Sequence, residues 1–559
     1  MTHEEIKALL LAHERHPHKE HQLEGVFQLV NDVDPTRGRV IPKVFLLLDE
    51  VGCGKTKQIV DASQILFHAK LLDTVIVVAP GSARSTWAHE DPLLGEVSKH
   101  AWASQPNIIH EYHKHYTDLD LSAQGLHWIV TNYEFIRREE RLQGLIRLTR
   151  PRLSWLIADE SWMINGWSQQ MRAVRRLRNK RADRVCVLNG TPLSDGEPED
   201  LYYVCDMLDE RILDCPNKAT FRAKYCIMQQ GVDYPKVIGH QHLDDFNQRI
   251  APYVLSRKTR DCWDLPPMLD PITIEARLSN ENWDRYTSMR DDMVTWLGTQ
   301  ASVSRQAIVK ILRLSQITSG FLGGLEDLDA DDGSGWDEDP EQPKMPSGPM
   351  PQWLKSLHNV GTEEAPVEAP VIDPSLNAPI KVAGPKVREI GREKLDAFLH
   401  WLDTMRKRPN KLLVWSRFTP ELLRTTTALG AYYPEVLNLK GKQRPAEREA
   451  AKLLLAPGAD PNRKGAVVGN QRAGSASLNF AAAPIAVYLS NGPRLLERTQ
   501  SIGRIERPGA LEPMLIVDVM ATGPKGQKTI DHHQISRLRA KDDMAKWTVQ
   551  QWRDLLKKV

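Results

Sequence analysis

The run Val44-Phe45-Leu46-Leu47-Leu48 reads as a buried parallel strand. It leads through Asp49-Glu50-Val51-Gly52-Cys53-Gly54-Lys55-Thr56 into the helical spacing of Ile59, Ala62, Ile65 and Leu66. No other stretch constrains the fold as tightly. A strand, a glycine-rich turn and Lys-Thr at a helix start form a phosphate cradle. Free backbone N–H groups face an anion at the positive end of the helix dipole. Gly52 and Gly54 permit close backbone approach, with Cys53 between them. Lys55 supplies a point charge to terminal phosphates, and the Thr56 hydroxyl supplies a ligand for Mg²⁺. The strict pattern has glycine five residues before Gly54, where this chain carries Asp49.

At 559 residues the chain has room for about three to four domains, and its cores need no staples. Lys+Arg 74 against Asp+Glu 72 gives a net charge of +2, which selects no partner. Local charge is less even. Arg137 to Arg184 holds thirteen basic and five acidic residues, whereas Glu326 to Glu341 holds nine acidic residues and no basic one. The six cysteines form no CxxC pair, which favours reduced thiols in a cytoplasmic setting. His13, His16, His18 and His21 lack the cysteine or carboxylate arrangement that would complete a metal site, and they read as a solvated stretch. No leader-like segment or membrane-spanning apolar run is legible.

Short apolar runs alternate with helical patterns: Thr74–Ala79, Trp128–Thr131, Trp155–Ala158 and Val185–Leu188. A second series follows at Leu412–Trp415, Ala466–Gly469, Ile485–Leu489 and Met514–Val519. The expected fold class is α/β, with two lobes of parallel sheet flanked by helices and a helical, partly disordered insertion between them. The expected boundaries are 1–270 for lobe 1, 271–322 for a helical connector, 323–390 for the insertion, 391–535 for lobe 2 and 536–559 for a basic helical tail. The insertion carries ten prolines from Pro340 to Pro385 beside its acidic run and has little to bury. It reads as a solvated linker; the sharper reading is an acidic decoy competing for a basic cleft.

Leu156-Ile157-Ala158-Asp159-Glu160 ends a strand in two carboxylates, at the position where open α/β sheets bind ligands. Asp159 can hold Mg²⁺ and Glu160 can orient and deprotonate a water. Leu188-Asn189-Gly190-Thr191-Pro192 follows another strand, and the Thr191 hydroxyl could sense a γ-phosphate. Far downstream, Gln500-Ser501-Ile502-Gly503-Arg504-Ile505-Glu506-Arg507 puts two arginines at i, i+3 on one expected helical face. If the lobes face each other, those arginines can stabilise charge on a transferring phosphoryl group.

In this order the motifs resemble the Snf2 family of superfamily 2. They are His21-Gln22-Leu23-Glu24-Gly25-Val26, DEVGCGKT, Val77-Val78-Ala79-Pro80, Thr131-Asn132-Tyr133-Glu134, IADES, NGTPL, Val414-Trp415-Ser416-Arg417-Phe418, Gln471-Arg472-Ala473-Gly474 and QSIGRIER. Leu255-Ser256-Arg257-Lys258, Lys394-Leu395 and Thr529-Ile530-Asp531 add to the likeness. The compact form resembles short Snf2-like proteins of bacteria and phages. The resemblance implies two RecA-like lobes, ATP with Mg²⁺ in the cleft between them, and a monomer that grips duplex DNA without sequence choice. A DNA-bound protein would be the object of remodelling, in the cytoplasm near the nucleoid or in a phage-infected cell.

It further implies that Gln22 meets the adenine edge and that Gln500, Arg504 and Arg507 complete the catalytic set with Lys55, Asp159 and Glu160. Backbone contacts to DNA are implied near Arg84, Thr131, Asn132, Ser416, Arg417, Lys440, Lys442, Gln471 and Ser475. The basic group Arg172, Arg175, Arg176, Arg178, Lys180, Arg181 and Arg184 reads either as a further DNA footprint or as a solvated helix face.

Three departures stand out. Ser161-Trp162 replaces the usual Ala-His after the carboxylates, so coupling through a histidine must be made differently at Trp162 with Gly190 and Thr191. Ser475 and Ser477 replace two glycines, and Ala510 replaces a final glutamine. The leading expectation is a DNA-stimulated ATPase that translocates on duplex DNA. The alternatives are a strand-separating or annealing DNA or RNA helicase, and a catalytically silent DNA-binding scaffold.

Overall fold

The computed structural model describes every residue except 14–16, 32, 35–38, 41–42, 82, 93–94, 114–116, 151, 165, 167, 191–197, 230–236, 300–303, 324–386, 441–442, 444, 472–477 and 544–559. For 33–34, 39–40, 85, 292–299, 304–310 and 445 it describes the backbone alone. His16, Thr191, Lys442, Ser475, the acidic proline-rich stretch and the end of the tail lie outside the described residues. The chain forms two units, Met1–Phe321 with Ile390–Val559, and Leu322–Glu389. Of the second, residues 322–323 and 387–389 are described.

The first unit contains two parallel sheets flanked by helices, the two RecA-like lobes expected. Lobe 1 is built on β1 (Val44–Leu47), β2 (Thr74–Ala79), β3 (Asn107–Glu111), β4 (Leu126–Asn132), β5 (Ser154–Asp159), β6 (Arg184–Leu188) and β7 (Val254–Leu255). Their order in the sheet is β7-β1-β6-β5-β2-β4-β3, and every neighbouring pair is parallel. Both faces are covered, so alternate residues of one strand enter different cores. Leu156 and Ala158 pack with Ile76, Val78 and Val187 on one face. Trp155 and Ile157 pack with Val75, Val77 and Leu188 on the other. This double burial is why the central strands read as unbroken apolar runs.

Lobe 2 uses β8 (Ile272–Arg277), β9 (Lys411–Ser416), β10 (Val436–Leu439), β11 (Gly465–Asn470), β12 (Ile485–Tyr488) and β13 (Leu515–Thr522). Their order is β8-β13-β12-β9-β11-β10, again parallel throughout. β8 corrects the expected boundary. Residues 272–277 fall in the stretch assigned to a helical connector, yet they form the edge strand of the second sheet. Only Ala276 of this strand is buried, so it carries no apolar run to announce it. The connector helices are Asn280–Thr299 and Ser304–Thr318.

The C-terminal helix runs over 530–543 and packs Ile535 and Leu538 on Leu495 and Met520 of lobe 2. Near its start, Asp531 Oδ2 lies 2.6 Å from Lys394 Nζ in a buried ion pair. Two motifs separated by 137 residues, Lys394 to Asp531, are thereby one structural contact. Among the described residues no helix is long and apolar enough to cross a membrane.

Register places the chemistry. Leu47 of β1 pairs with Leu188 of β6, and Leu188 with Asp159 of β5. The glycine-rich loop, Asp159-Glu160 and Asn189-Gly190 therefore leave adjacent strands side by side. On the outer flank, Leu255 pairs with Leu47 and delivers Arg257 to the same corner.

Candidate active site

Helix α1 (Lys55–His68) starts at Gly54, whose φ is +78°, and Gly52 has a φ of +105°. Both sit in the left-handed region that favours glycine. A Cβ on Gly54 would also lie 2.4 Å from Gln22 Nε2. The carbonyls of Asp49 and Glu50 hold Lys55 Nζ over the loop at 2.7 and 3.3 Å. Gln22, expected at the adenine edge, is 4% exposed and lies against the loop. Its Nε2 donates to Cys53 O at 3.4 Å, while Oε1 accepts from Lys19 N at 3.2 Å.

Asp49 explains its own departure from the strict pattern. Its fully buried carboxylate receives Arg257 Nε at 2.9 Å, Arg257 Nη2 at 2.6 Å and Gln58 Nε2 at 3.1 Å. Paired, parallel N–H donors are the strongest way to fix a carboxylate. Arg257 also donates to His21 O and to Gln58 Oε1, so one guanidinium ties the loop, α1 and the segment before α1 together.

Asp159 Oδ2 accepts Trp87 Nε1 at 2.8 Å, and its carbonyl accepts Tyr133 Oη at 2.7 Å. Burial, with the neighbouring Glu160 charge, pushes the Asp159 carboxyl up to about 6. Glu160 has a φ of +54°, a strained backbone for a side chain of this kind. Its Oε2 accepts Trp162 Nε1 at 3.1 Å and Gln500 Nε2, from lobe 2, at 3.3 Å. Asn189 Nδ2 donates to Ser161 Oγ at 2.9 Å, joining the carboxylate segment to the next strand end. Gly190 sits against the loop, where an added Cβ would lie 2.5 Å from Val51 Cγ2 and 3.3 Å from Lys55 Nζ. Relief of the Glu160 strain is measurable. Glu160→Gly is expected to melt no lower than Glu160→Gln, with a gain of about 1 kcal/mol, while both variants lose turnover. A clearly lower stability for the glycine variant would contradict that account.

Lobe 2 closes the site. Its helix α2 (Leu495–Ile502) carries Gln500 and ends at Gly503. Arg504 and Arg507 therefore lie in the turn beyond the helix, not on a helical face, because Gly503 caps it. Arg504 Nη1 donates to Leu478 O at 3.2 Å, and Arg507 Nε to Gly503 O at 2.7 Å. Burial pushes Arg504 down to about 10, opposed by the charge of Glu160. Burial, and then Arg504, holds Arg507 well below the usual arginine range, with Glu160 and Glu96 opposing. Built on Gly52, a Cβ would touch Pro508 Cδ at 3.4 Å and Arg507 Cγ at 3.8 Å. Arg260 of lobe 1 pairs with Glu506 of lobe 2. Two desolvated guanidiniums face a glycine-rich loop beside two adjacent carboxylates. That donor set fits a polyanion and a divalent cation, each of which would offset the like charges crowded there.

A family model described as the SNF2-related domain matches residues 36–320, just over half of the chain. This chain belongs to the SNF2-related family. A stretch of 302 residues is 26% identical to SNF2 domain-containing protein ENL1 of Oryza sativa subsp. japonica, covering 50% of this chain and 27% of that protein. Another of 291 residues is 24% identical to Protein CHROMATIN REMODELING 24 of Arabidopsis thaliana, covering 50% of this chain and 24% of that protein. The matches thus span about a quarter of the length of either relative. Among solved structures, the Sulfolobus solfataricus SWI2/SNF2 ATPase core in complex with dsDNA aligns over 98% of this chain and 97% of its own, at 16% identity and TM-score 0.37. The Sulfolobus solfataricus SWI2/SNF2 ATPase core domain aligns over 91% and 86%, at 14% identity and TM-score 0.38.

Several side chains expected on DNA are turned inward in this SNF2 chain. Thr131 is fully buried, and Asn132 Oδ1 caps the next helix by accepting Phe135 N at 2.7 Å. Ser416 is also fully buried and donates to Glu421 Oε2 at 2.6 Å. Gln471 donates to Asn491 Oδ1 at 3.3 Å and is 3% exposed. Arg84 pairs with Glu111 at 2.9 Å, whereas Arg417 and Lys440 are partly exposed. In the helix of the basic group (Gln169–Arg181), Arg175 meets Asp206 and Glu210, and Arg176 meets Glu139. Arg178 donates to Leu208 O, and the following Arg184 to Leu29 O and Val30 O. Much of that run is internal pairing; Arg172 and Lys180 stay exposed.

Sequence reasoning missed Trp87, Glu96 and the role of Arg257, since each acts through a contact that only folding creates. Of the histidines expected to be solvated, His18 is instead buried, its Nε2 2.8 Å from Asp61 Oδ2, and His13 stacks on Trp102. Elsewhere Glu199, Cys226 and His240 bring ligand atoms within 4.8 Å of one another. Arg222 at 2.9 Å and Lys218 at 3.6 Å already neutralise that glutamate, which opposes a cation there.

Proposed function

We propose that this SNF2-family chain is a DNA-stimulated ATPase that translocates on double-stranded DNA and remodels protein–DNA complexes or DNA structures. The observation that carries the reading is the convergence of both lobes on one site: Gln500 of lobe 2 donates to Glu160 of lobe 1, beside a phosphate loop packed on Arg507 and Pro508. The backbone N–H groups of Gly52–Thr56 and the Lys55 ammonium bind and orient the ATP phosphates. Thr56 and Asp159 would hold Mg²⁺, which when bound neutralises phosphate charge. Glu160, fixed by Trp162 and Gln500, orients the attacking water and takes its proton. Arg504 and Arg507 stabilise charge developing on the γ-phosphoryl group.

Trp162 takes the coupling position usually held by histidine. Its indole N–H grips the same Glu160 oxygen that Gln500 grips, so lobe movement is transmitted to the water-orienting carboxylate directly. The Asn189–Ser161 bond and Gly190 carry the same movement to the loop.

Family membership, with partly exposed Arg417 and Lys440 and exposed Arg172 and Lys180, supports sequence-independent contact with a duplex backbone. Neutralising six phosphates would give a log–log salt slope of about −5, with little difference between unrelated duplexes. Fluorescence anisotropy from low to moderate salt reads both, and a flat salt response would contradict backbone-directed binding. Triplex displacement without strand separation supports translocation; strand separation, or stimulation by RNA alone, would favour a helicase.

A further inference from the structure

Asp159 is held from both faces of the lobe 1 sheet by two aromatic side chains. Trp87 Nε1 donates to its Oδ2 at 2.8 Å, and Tyr133 Oη donates to its carbonyl at 2.7 Å. Trp87 is 1% exposed in the core that also takes Val77, Ala79 and Ile157, whereas Tyr133 is fully buried in the opposite core with Ile129 and Ile164. The period of the strand accounts for the division. Asp159 follows Trp155 and Ile157 by twos along β5, so its carboxylate falls on the face of Trp87. Both donors stand on helices that leave neighbouring strand ends, Arg84–Ala88 after β2 and Tyr133–Ile136 after β4. Ala83 N donates to Pro80 O at 2.9 Å and Trp87 N to Ala83 O at 3.3 Å, while Asn132 Oδ1 caps the second helix at Phe135 N. Segments expected to touch DNA, around Arg84 and Asn132, thus form the footing of the two aromatics.

We propose that Trp87 and Tyr133 are positioning residues for hydrolysis: Trp87 sets the carboxylate of Asp159 for Mg²⁺, and Tyr133 locks the Asp159–Glu160 peptide that aims Glu160 at water. Both roles rest on Asp159 and Glu160 serving as the metal ligand and the water-orienting group of the proposed site. An indole N–H is an uncharged donor with no acceptor. It fixes one carboxylate oxygen without bringing a rival ligand or a counter-charge, as groups behind a metal ligand commonly do.

Tyr133 acts on the backbone. The φ of Glu160, +54°, is the rotation between this residue and the peptide that joins it to Asp159. The carbonyl of that peptide is the one Tyr133 holds. A peptide free to turn would relax toward the negative φ that suits glutamate, and would carry the carboxylate away from Trp162 and Gln500. The buried hydroxyl blocks that turn. Trp87 and Tyr133 therefore divide the work, one governing the metal's carboxylate and the other the conformation of its neighbour.

Mg²⁺-dependent binding of a fluorescent ATP analogue, with steady-state turnover, tests both roles on the full-length protein. Trp87→Phe is expected to raise the Mg²⁺ needed for half-maximal binding by about 10–100-fold. Trp87→His, whose Nε2 takes the place of the indole nitrogen, should lose less than Trp87→Phe, whereas a packing role would rank the two the other way. In an Asp159→Ala background, Trp87→Phe should add no further shift. Tyr133→Phe is expected to lower kcat about tenfold with KM and the Mg²⁺ requirement unchanged. An unchanged Mg²⁺ requirement in Trp87→Phe, a Trp87→His no better than Trp87→Phe, or an added shift in the Asp159→Ala background would overturn the role of Trp87. Wild-type kcat in Tyr133→Phe, or a KM that moves with kcat, would overturn that of Tyr133. If Asp159→Ala itself left the Mg²⁺ requirement unchanged, the metal reading of Asp159 would fail instead, and the split between kcat and KM in Tyr133→Phe would still decide the role of Tyr133.

Discussion

Arg504→Ala and Arg507→Ala are each expected to lower turnover by roughly 10³–10⁵-fold while leaving nucleotide binding largely in place. Arg504 is buried and Arg507 half-buried at the lobe junction, and both feel the charge of Glu160, yet neither belongs to the loop that cradles phosphate. Their effect therefore falls on the transition state more than on the ground state. Lys55→Ala should differ by weakening binding itself, because it removes the cation held over the loop by Asp49 O and Glu50 O. Glu160→Gln should bind ATP and not turn it over. Single-turnover hydrolysis alongside nucleotide titration separates these patterns. Near wild-type turnover in either arginine variant would remove lobe 2 from the catalytic site.

A comparably large effect on stability is expected at Arg257. Arg257→Met strips the fully buried Asp49 of its two strongest donors, and a carboxylate left unpaired at such depth costs about 3–5 kcal/mol. The damage should be local to lobe 1 and should raise the concentration of ATP needed for half-maximal binding, because Asp49 begins the loop. Adding Asp49→Asn to Arg257→Met should recover part of the loss, since the orphaned group is then uncharged. Urea unfolding of the single and double variants reads the difference. A cost below about 1 kcal/mol for Arg257→Met would contradict the pairing as the loop's anchor.

The fold was legible where both faces of a strand are buried. Val75–Ala79 and Trp155–Ala158 alternate between two apolar cores and so announce themselves as continuous runs. Edge strands did not. Asn107–Glu111 and Ile272–Arg277 are half-exposed and mix polar with apolar residues, so local pattern alone assigns them nothing. The phosphate loop and Asp159-Glu160 were legible because their chemistry is packed into contiguous residues at strand ends. The long-range partners were not: Asp49 to Arg257, Asp159 to Trp87 and Glu160 to Gln500 span 208, 72 and 340 residues. The expected DNA contacts fared worst as side chains. Asn132, Ser416 and Gln471 have the right donors and acceptors, but folding spends them on a cap and on buried hydrogen bonds, and Thr131 is fully buried. A polar side chain at a strand end serves a cap as readily as a phosphate, and sequence cannot distinguish the two.

The ATPase rate of the purified chain, measured with and without duplex DNA beside Glu160→Gln, reads both hydrolysis at this site and its dependence on DNA. Slow hydrolysis by the free protein is expected, with a marked rise on any duplex that fades at high salt, a weaker response to RNA, and none of these in Glu160→Gln. A wild-type rate that ignores duplex DNA, or a rate that survives Glu160→Gln, would contradict the proposed function.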